Sequence, residues 1–169
     1  SDDPFAVSRA LQYRSELASN RQYQRSIGEA TGWQNVTDTA LSAIGDALLR
    51  ARDLTVQAAN GATSNDARQA IGTEIRQLIE HVKTTANAQY AGRYVFSGAA
   101  TLTAPYSTAS DAYAGDTVAI RREIGPGVQI DLNVIGQSVV GDGASGIILM
   151  GGGIAEVHEQ SIPEMLGDT

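Results

Sequence analysis

The sequence predicts an α+β protein, a long antiparallel helical hairpin carrying a small antiparallel β module. Three observations predict it. First, Trp33, Thr37, Ala40, Ile44, Ala47, Ala51, Leu54 and Ala58 follow one another at alternating steps of four and three. That period, about 3.5, belongs to a helix packed along a seam. Second, Ala67, Ile71, Ile75, Leu78, Val82 and Ala86 repeat the pattern after Asn60-Gly61. A break this short makes the second helix an antiparallel neighbour of the first. Third, Val128, Ile130, Leu132 and Val134 alternate with Gln129, Asp131 and Asn133, as a half-buried strand does.

Asp3-Pro4 reads as an N-cap followed by proline at the first helical position. Helix-compatible sequence then runs over about 4–60, roughly 85 Å at 1.5 Å per residue. Gly28 and Gly32 each cost about 1 kcal/mol relative to alanine, so a kink is allowed there. Half of the seam positions are alanine, which buries little area per contact, so this helix needs partners. Leu41 and Leu48 form a second stripe, which calls for neighbours on more than one side. The second helix, over about 65–89, spans only half of the first. The seam is therefore expected to be partly unfilled within this chain. Asn60-Gly61 is expected to supply a left-handed C-cap. Ser64 or Asn65 then caps the second helix, with Asp66 favourable at its N-terminus.

Beyond Asn87 the pattern changes. Tyr90–Gly98 and Thr117–Ile124 carry aromatic and β-branched residues between turn-formers, as strands do. The chain thus divides into a helical rod (1–94), a small β module (95–140) whose thin core leans on the helices, and a Gly-rich tail (141–169). Ile154–Leu166 reads as a short helix within that tail.

The charge divides at the same place. The chain has 12 basic and 19 acidic residues, net −7. Residues 1–95 hold ten of each, so the remaining two basic and nine acidic side chains put the whole −7 after residue 95. Such a chain is a poor binder of phosphate backbones. With no Cys, disulfides and thiolate chemistry are excluded. No apolar run reaches the roughly 18 residues of a membrane span, so neither nucleic acid nor membrane insertion is expected. No secretory leader is present at Ser1, and the abrupt helix start points to an upstream segment.

Candidate chemistry is sparse. Gly141-x-Gly143-x-x-Gly146 fits the dinucleotide pattern, but Ile147–Met150 followed by three glycines makes a poor helix to face a pyrophosphate. A nucleotide-binding enzyme acting through Gly141–Gly146 is thus a remote alternative. His81 and His158 match no metal-ligand spacing. No nucleophile elbow occurs, and Asn35-Val36-Thr37, a formal sequon, lies inside the seam. No catalytic, cofactor-binding or metal residues are assigned. Trp33 reads as core. Arg93, at the helix-to-strand switch, reads either as a solvated residue or as one that pairs with a neighbouring chain through its planar fork.

Ala86–Gly98 (ANAQYAGRYVFSG) resembles the "AN-Q-GRY-F-G" signature of the flagellar hook–filament junction family, hook-associated protein 3, which is similar to flagellin. Asn87, Gly92, Arg93, Tyr94, Phe96 and Gly98 carry that signature turn. Ser1–Leu11, Arg50–Gly61, Ala67–Ile75 and Arg121–Val128 look like further segments of the family. The resemblance covers about residues 2–140. Gly92-Arg93-Tyr94-Val95-Phe96, where flagellins tend to read "FNG", favours the junction family, with flagellin as the alternative. It implies a rod like flagellin's, a structural role without catalysis or cofactor, and export to the extracellular flagellum by the flagellar type III apparatus. The implied partners are other copies of the chain, neighbouring hook-associated and flagellin subunits, and an export chaperone at the termini. The helix seam and subunit packing would share Trp33, Ala40, Ile44, Ala47, Ala51, Leu54, Ile71, Ile75, Leu78 and Val82. The family's paired terminal helices are absent from the sequence, so the resemblance implies a fragment.

Overall fold

A computed structural model of the chain describes residues 4–107 and 109–140. The first helix, α1 (Pro4–Ala59), is 56 residues long, and α2 (Asn65–Ala86) returns beside it. Three two-stranded antiparallel hairpins follow. They are β1 (Gln89–Tyr90) with β2 (Arg93–Tyr94), β3 (Tyr106–Ser107) with β4 (Ser110–Tyr113), and β5 (Arg121–Gly125) with β6 (Val128–Asp131). A short helix, α3 (Gly136–Val140), ends the described chain. The Asp3 cap and the Gly141–Gly146 motif lie outside the described residues, as do the tail and its Ile154–Leu166 helix.

Every one of the eight seam positions from Trp33 to Ala58 is buried, which corrects the expectation of a partly unfilled seam. The reason is a division of labour along α1. Leu54 and Ala58 pack with Ile71, Ile75 and Leu78 of α2. Ile44 and Ala47 meet Val82 and Ala86 of α2 and Tyr106 of β3. Ala30, Trp33 and Ala40 are covered by Val95, Phe96 and Leu132, from the β module. So the module, not a further helix, finishes the seam where α2 stops. Leu41 and Leu48 do have neighbours on a second side. Leu48 joins the cluster holding Tyr113 and Val139, and Leu41 the cluster holding Leu132.

Helix α1 runs unbroken through Gly28 and Gly32. Gly32 has a packing reason, because a Cβ there would sit 2.5 Å from the Tyr90 hydroxyl oxygen. Tyr90 in turn meets Trp33 edge-on, with ring centroids 6.2 Å apart. The turn after α1 also differs from expectation, since neither Asn60 nor Gly61 has a positive φ. Side chains make it instead. Asn60 Oδ1 accepts from the Ala62 N–H at 3.1 Å, and Thr63 Oγ1 donates to the Gln57 carbonyl at 2.8 Å. Ser64 is the N-cap of α2, its Oγ accepting from Ala67 N–H. α2 ends at Ala86 rather than near residue 89, because the Asn87 N–H closes onto the Lys83 and Thr84 carbonyls and the chain then turns away.

The described strands form three small hairpins, not one sheet, and the first of them precedes residue 95. The strand read over Tyr90–Gly98 shrinks to the residue pairs of β1 and β2, and Val95, Phe96 and Ser97 are fully buried without strand pairing. The alternation from Val128 to Val134 is regular, yet only its middle is covered. Leu132 is buried and Ile130 half-buried, while Val128 and Val134 are exposed. α1 lies against this hairpin, and Leu132 and Ile130 belong to the cluster that holds Trp33.

In the tight turn between β1 and β2, Ala91 has φ +48° and Gly92 φ +76°. Two positive φ values are what a two-residue turn of this hand requires, and asparagine-glycine suits it best. Alanine in that region is strained by about 1–2 kcal/mol. Ala91→Asn is therefore expected to stabilise the protein by about 1 kcal/mol, read as a raised midpoint in urea unfolding.

Candidate functional site

The residues of the signature turn come together where α2 hands over to the module. Asn87 follows the last helical residue, so its side chain is free of the helix and reaches β3. Its Nδ2 donates to the Tyr106 carbonyl at 2.7 Å, and its Oδ1 accepts from the Tyr106 N–H at 3.0 Å. One side chain thus imitates a strand neighbour for a residue 19 positions away. Arg93 Nη1 donates to Thr101 Oγ1 at 2.9 Å, and the Tyr94 N–H to the Thr101 carbonyl at 2.9 Å. Arg93 therefore spends part of its guanidinium inside the chain.

Phe96 is the centre of this junction. Its ring is buried against the Trp33 cluster, and its carbonyl accepts from the Gly136 N–H at 3.0 Å. The Tyr113 hydroxyl lies 2.9 Å from both the Phe96 and Asp116 carbonyls, donating its proton to either. Gly136 admits this crowding, since a Cβ there would lie 2.6 Å from the Phe96 oxygen. Gly98 has φ +68° and Asp116 packed against it, so glycine is required twice over. Asp116 Oδ1 accepts from the Ala99 and Val118 N–H groups at 2.7 and 2.9 Å. Asn133 repeats the Asn87 device, accepting from the Ile120 N–H and donating to the Val118 carbonyl.

Two ionisable groups respond to this geometry. The N–H donors of Val118 and then Ala99 stabilise the Asp116 carboxylate and hold its pKa below the ordinary 3.8. Burial, and secondarily the nearby Asp116 charge, raises Tyr113 above 10.0. A depressed carboxyl pKa contributes stability above its unfolded value, lost as pH falls through the folded one. A raised phenol pKa contributes stability below about 10, lost as pH rises further. The junction is thus expected to be steady from weakly acidic to weakly alkaline pH and to loosen at both ends. Asp116→Asn should flatten the acid limb of a stability–pH profile and weaken the alkaline limb without abolishing it, because burial still raises Tyr113.

Of the residues singled out in the sequence, the structure gathers Asn87, Arg93, Tyr94, Phe96 and Gly98 into one junction, with Trp33 beneath it. Gly92 serves the β1–β2 turn. Ala40, Ile44, Ala47, Ala51, Leu54, Ile71 and Val82 are buried inside the chain, with Ile75 and Leu78 half-buried. Their partners among the described residues are intramolecular, as a helix seam requires. Sequence reasoning missed Tyr106, Tyr113, Asp116, Asn133 and Gly136. Asp116 alone carried a signal, standing in a Gly-Asp-Thr turn. Among the described residues, no three His, Cys, Asp or Glu side chains gather as metal ligands would.

A family model described as the bacterial flagellin N-terminal helical region matches residues 1–101. The chain belongs to that family. The matched range covers both long helices and closes at Thr101, the residue that holds Arg93 and Tyr94. This flagellin-family chain is 34% identical over 125 residues to flagellar hook-associated protein 3 of Escherichia coli K12, an alignment covering 73% of the chain and 39% of that relative. It therefore spans about two fifths of the length of that relative. The crystal structure of Xanthomonas campestris FlgL superposes with a TM-score of 0.69 at 27% identity, over 73% of this chain and 41% of that one. A putative flagellar hook-associated protein from Vibrio parahaemolyticus superposes with a TM-score of 0.75 at 25% identity, over 98% and 79%. The helical hairpin with small antiparallel strand pairs is the architecture shared with these structures.

Proposed function

We propose that this flagellin-family chain is part of a structural subunit of the bacterial flagellum that joins hook to filament. It acts by packing with copies of itself and with hook-associated and flagellin subunits, outside the cell, and not by catalysis. In this reading the rod (1–94) bears the assembly contacts and the module (95–140) stiffens it.

One observation carries the reading. Every side chain from Phe5 to Gln22 is exposed, including Val7, Leu11, Tyr13 and Leu17. An isolated helix arm of this length is marginal in water, and its apolar side chains gain free energy only when covered. A groove of about 410 Å³ between α1 and the end of α2, lined by Val36, Ala40, Ala43, Thr85 and Ala88, adds a second uncovered apolar surface. Small side chains there admit a close neighbour. The similarity to hook-associated protein 3 supports the junction role, since that alignment extends beyond the residues matched by the flagellin family model.

The test is deletion of the whole gene in its own organism. Shed filaments and lost motility, with intact hooks, are the expected result. Filaments that remain attached would overturn the junction role. A full-length protein that polymerises by itself into long filaments would point to the alternative, a flagellin.

A further inference from the structure

The turn between the two long helices contains the chain's single Asn-Gly pair, Asn60-Gly61. The other asparagines, Asn20, Asn35, Asn65, Asn87 and Asn133, precede Arg, Val, Asp, Ala and Val. Asn60 and Gly61 are both exposed, and nothing lies within 4 Å of where a Gly61 Cβ would be. The side-chain amide is already folded back over its own backbone, since Asn60 Oδ1 accepts from the Ala62 N–H at 3.1 Å. This bond does two things. It holds the carboxamide beside the following peptide, and it polarises the carbonyl where negative charge would develop during attack.

We propose that Asn60-Gly61 is a site of spontaneous deamidation, and that its conversion unmakes the turn joining α1 to α2. The Gly61 backbone nitrogen attacks Asn60 Cγ, forming an N–C bond. The Cγ–Nδ2 bond breaks, and ammonia leaves carrying the proton shed by the Gly61 nitrogen. Water then opens the resulting succinimide at either carbonyl, giving aspartate or isoaspartate. No oxidant or cofactor takes part. Glycine matters because it places no side chain against the approaching amide. Either product puts a negative charge just past the C-terminus of α1, against the helix dipole. Isoaspartate also inserts a methylene into the backbone. That displaces the Thr63 N–H from the Asn60 carbonyl and Thr63 Oγ1 from the Gln57 carbonyl, bonds now 3.0 and 2.8 Å long.

The experiment incubates the intact folded chain at mildly alkaline pH and follows each asparagine by peptide mass mapping, with enzymatic methylation to count isoaspartate. Asn60 is expected to convert about tenfold or more faster than the exposed helical Asn20 and Asn35, a barrier difference of about 1.4 kcal/mol. Gly61→Ala is expected to suppress the conversion. That variant keeps the fold, because Gly61 has neither a positive φ nor a close neighbour. Hydrogen exchange over residues 57–67 should quicken in the converted protein. Conversion of Asn60 only in urea, or at the same rate in Gly61→Ala, would overturn the site. Unchanged exchange in fully converted protein would overturn its effect on the turn.

Discussion

Phe96→Ala is expected to destabilise the protein by about 3–5 kcal/mol, the cost of emptying a well-packed aromatic site. Phe96 is fully buried, and its ring fills the space between the module and the Ala30–Ala40 stretch of α1. Nearby atoms have little freedom to close the gap. The Phe96 carbonyl is held by Gly136 and Tyr113, and Val95 is tied to the Ala88 carbonyl at 3.1 Å. The loss should also be localised. The Leu54–Ala58 end of the hairpin is packed by Ile71 and its neighbours alone. Hydrogen exchange should therefore rise first around Trp33 and Leu132 and last around Leu54. Uniform loss of protection along α1 would contradict this division.

Asn87→Ala is expected to cost about 2–4 kcal/mol, because it removes two hydrogen bonds to a buried residue's backbone rather than one. Both the N–H and the carbonyl of Tyr106, a buried residue, are satisfied by the Asn87 amide. Asn87→Asp makes the sharper comparison. Aspartate keeps the acceptor for the Tyr106 N–H but opposes the carbonyl with a second oxygen, so it should recover only part of the loss. Urea unfolding of the three proteins side by side would read this ordering. Asn87→Ala and Asn87→Asp of equal stability would show that the retained N–H bond gains no more than the opposed oxygens cost.

The two largest effects fall in one place because helix α2 is short. Its buried stripe ends at Ala86, and from there the module takes over the covering of α1. Stability at the junction depends on a few side chains that bridge distant segments. Along the hairpin it depends on many small contacts, each replaceable. The exposed Arg50–Glu74 pair, 2.6 Å apart, contributes little by comparison, as surface ion pairs do.

The sequence by itself determined the rod. Local periodicity fixes which face of a helix is apolar, and the break at Asn60-Gly61 fixes the antiparallel return. Both are properties of neighbours in the chain, so Trp33, Ala40, Ile44, Leu54 and Ile71 were legible as core. The signature residues Asn87, Arg93 and Phe96 were legible as a group, though without their roles. Only the tertiary structure decided what covers the seam from Ala30 to Ala40. Val95 and Phe96 lie in a short segment without strand pairing, and the alternation that contains Leu132 marks a buried face without saying which element covers it. Tertiary structure also decided the pairings of Asn87 with Tyr106, Tyr113 with Phe96 and Asn133 with Val118. Such bonds join residues 15 or more positions apart. A side chain that stands in for a missing strand leaves no pattern in the sequence, because any asparagine at a helix end can do it and only the approaching backbone makes it necessary.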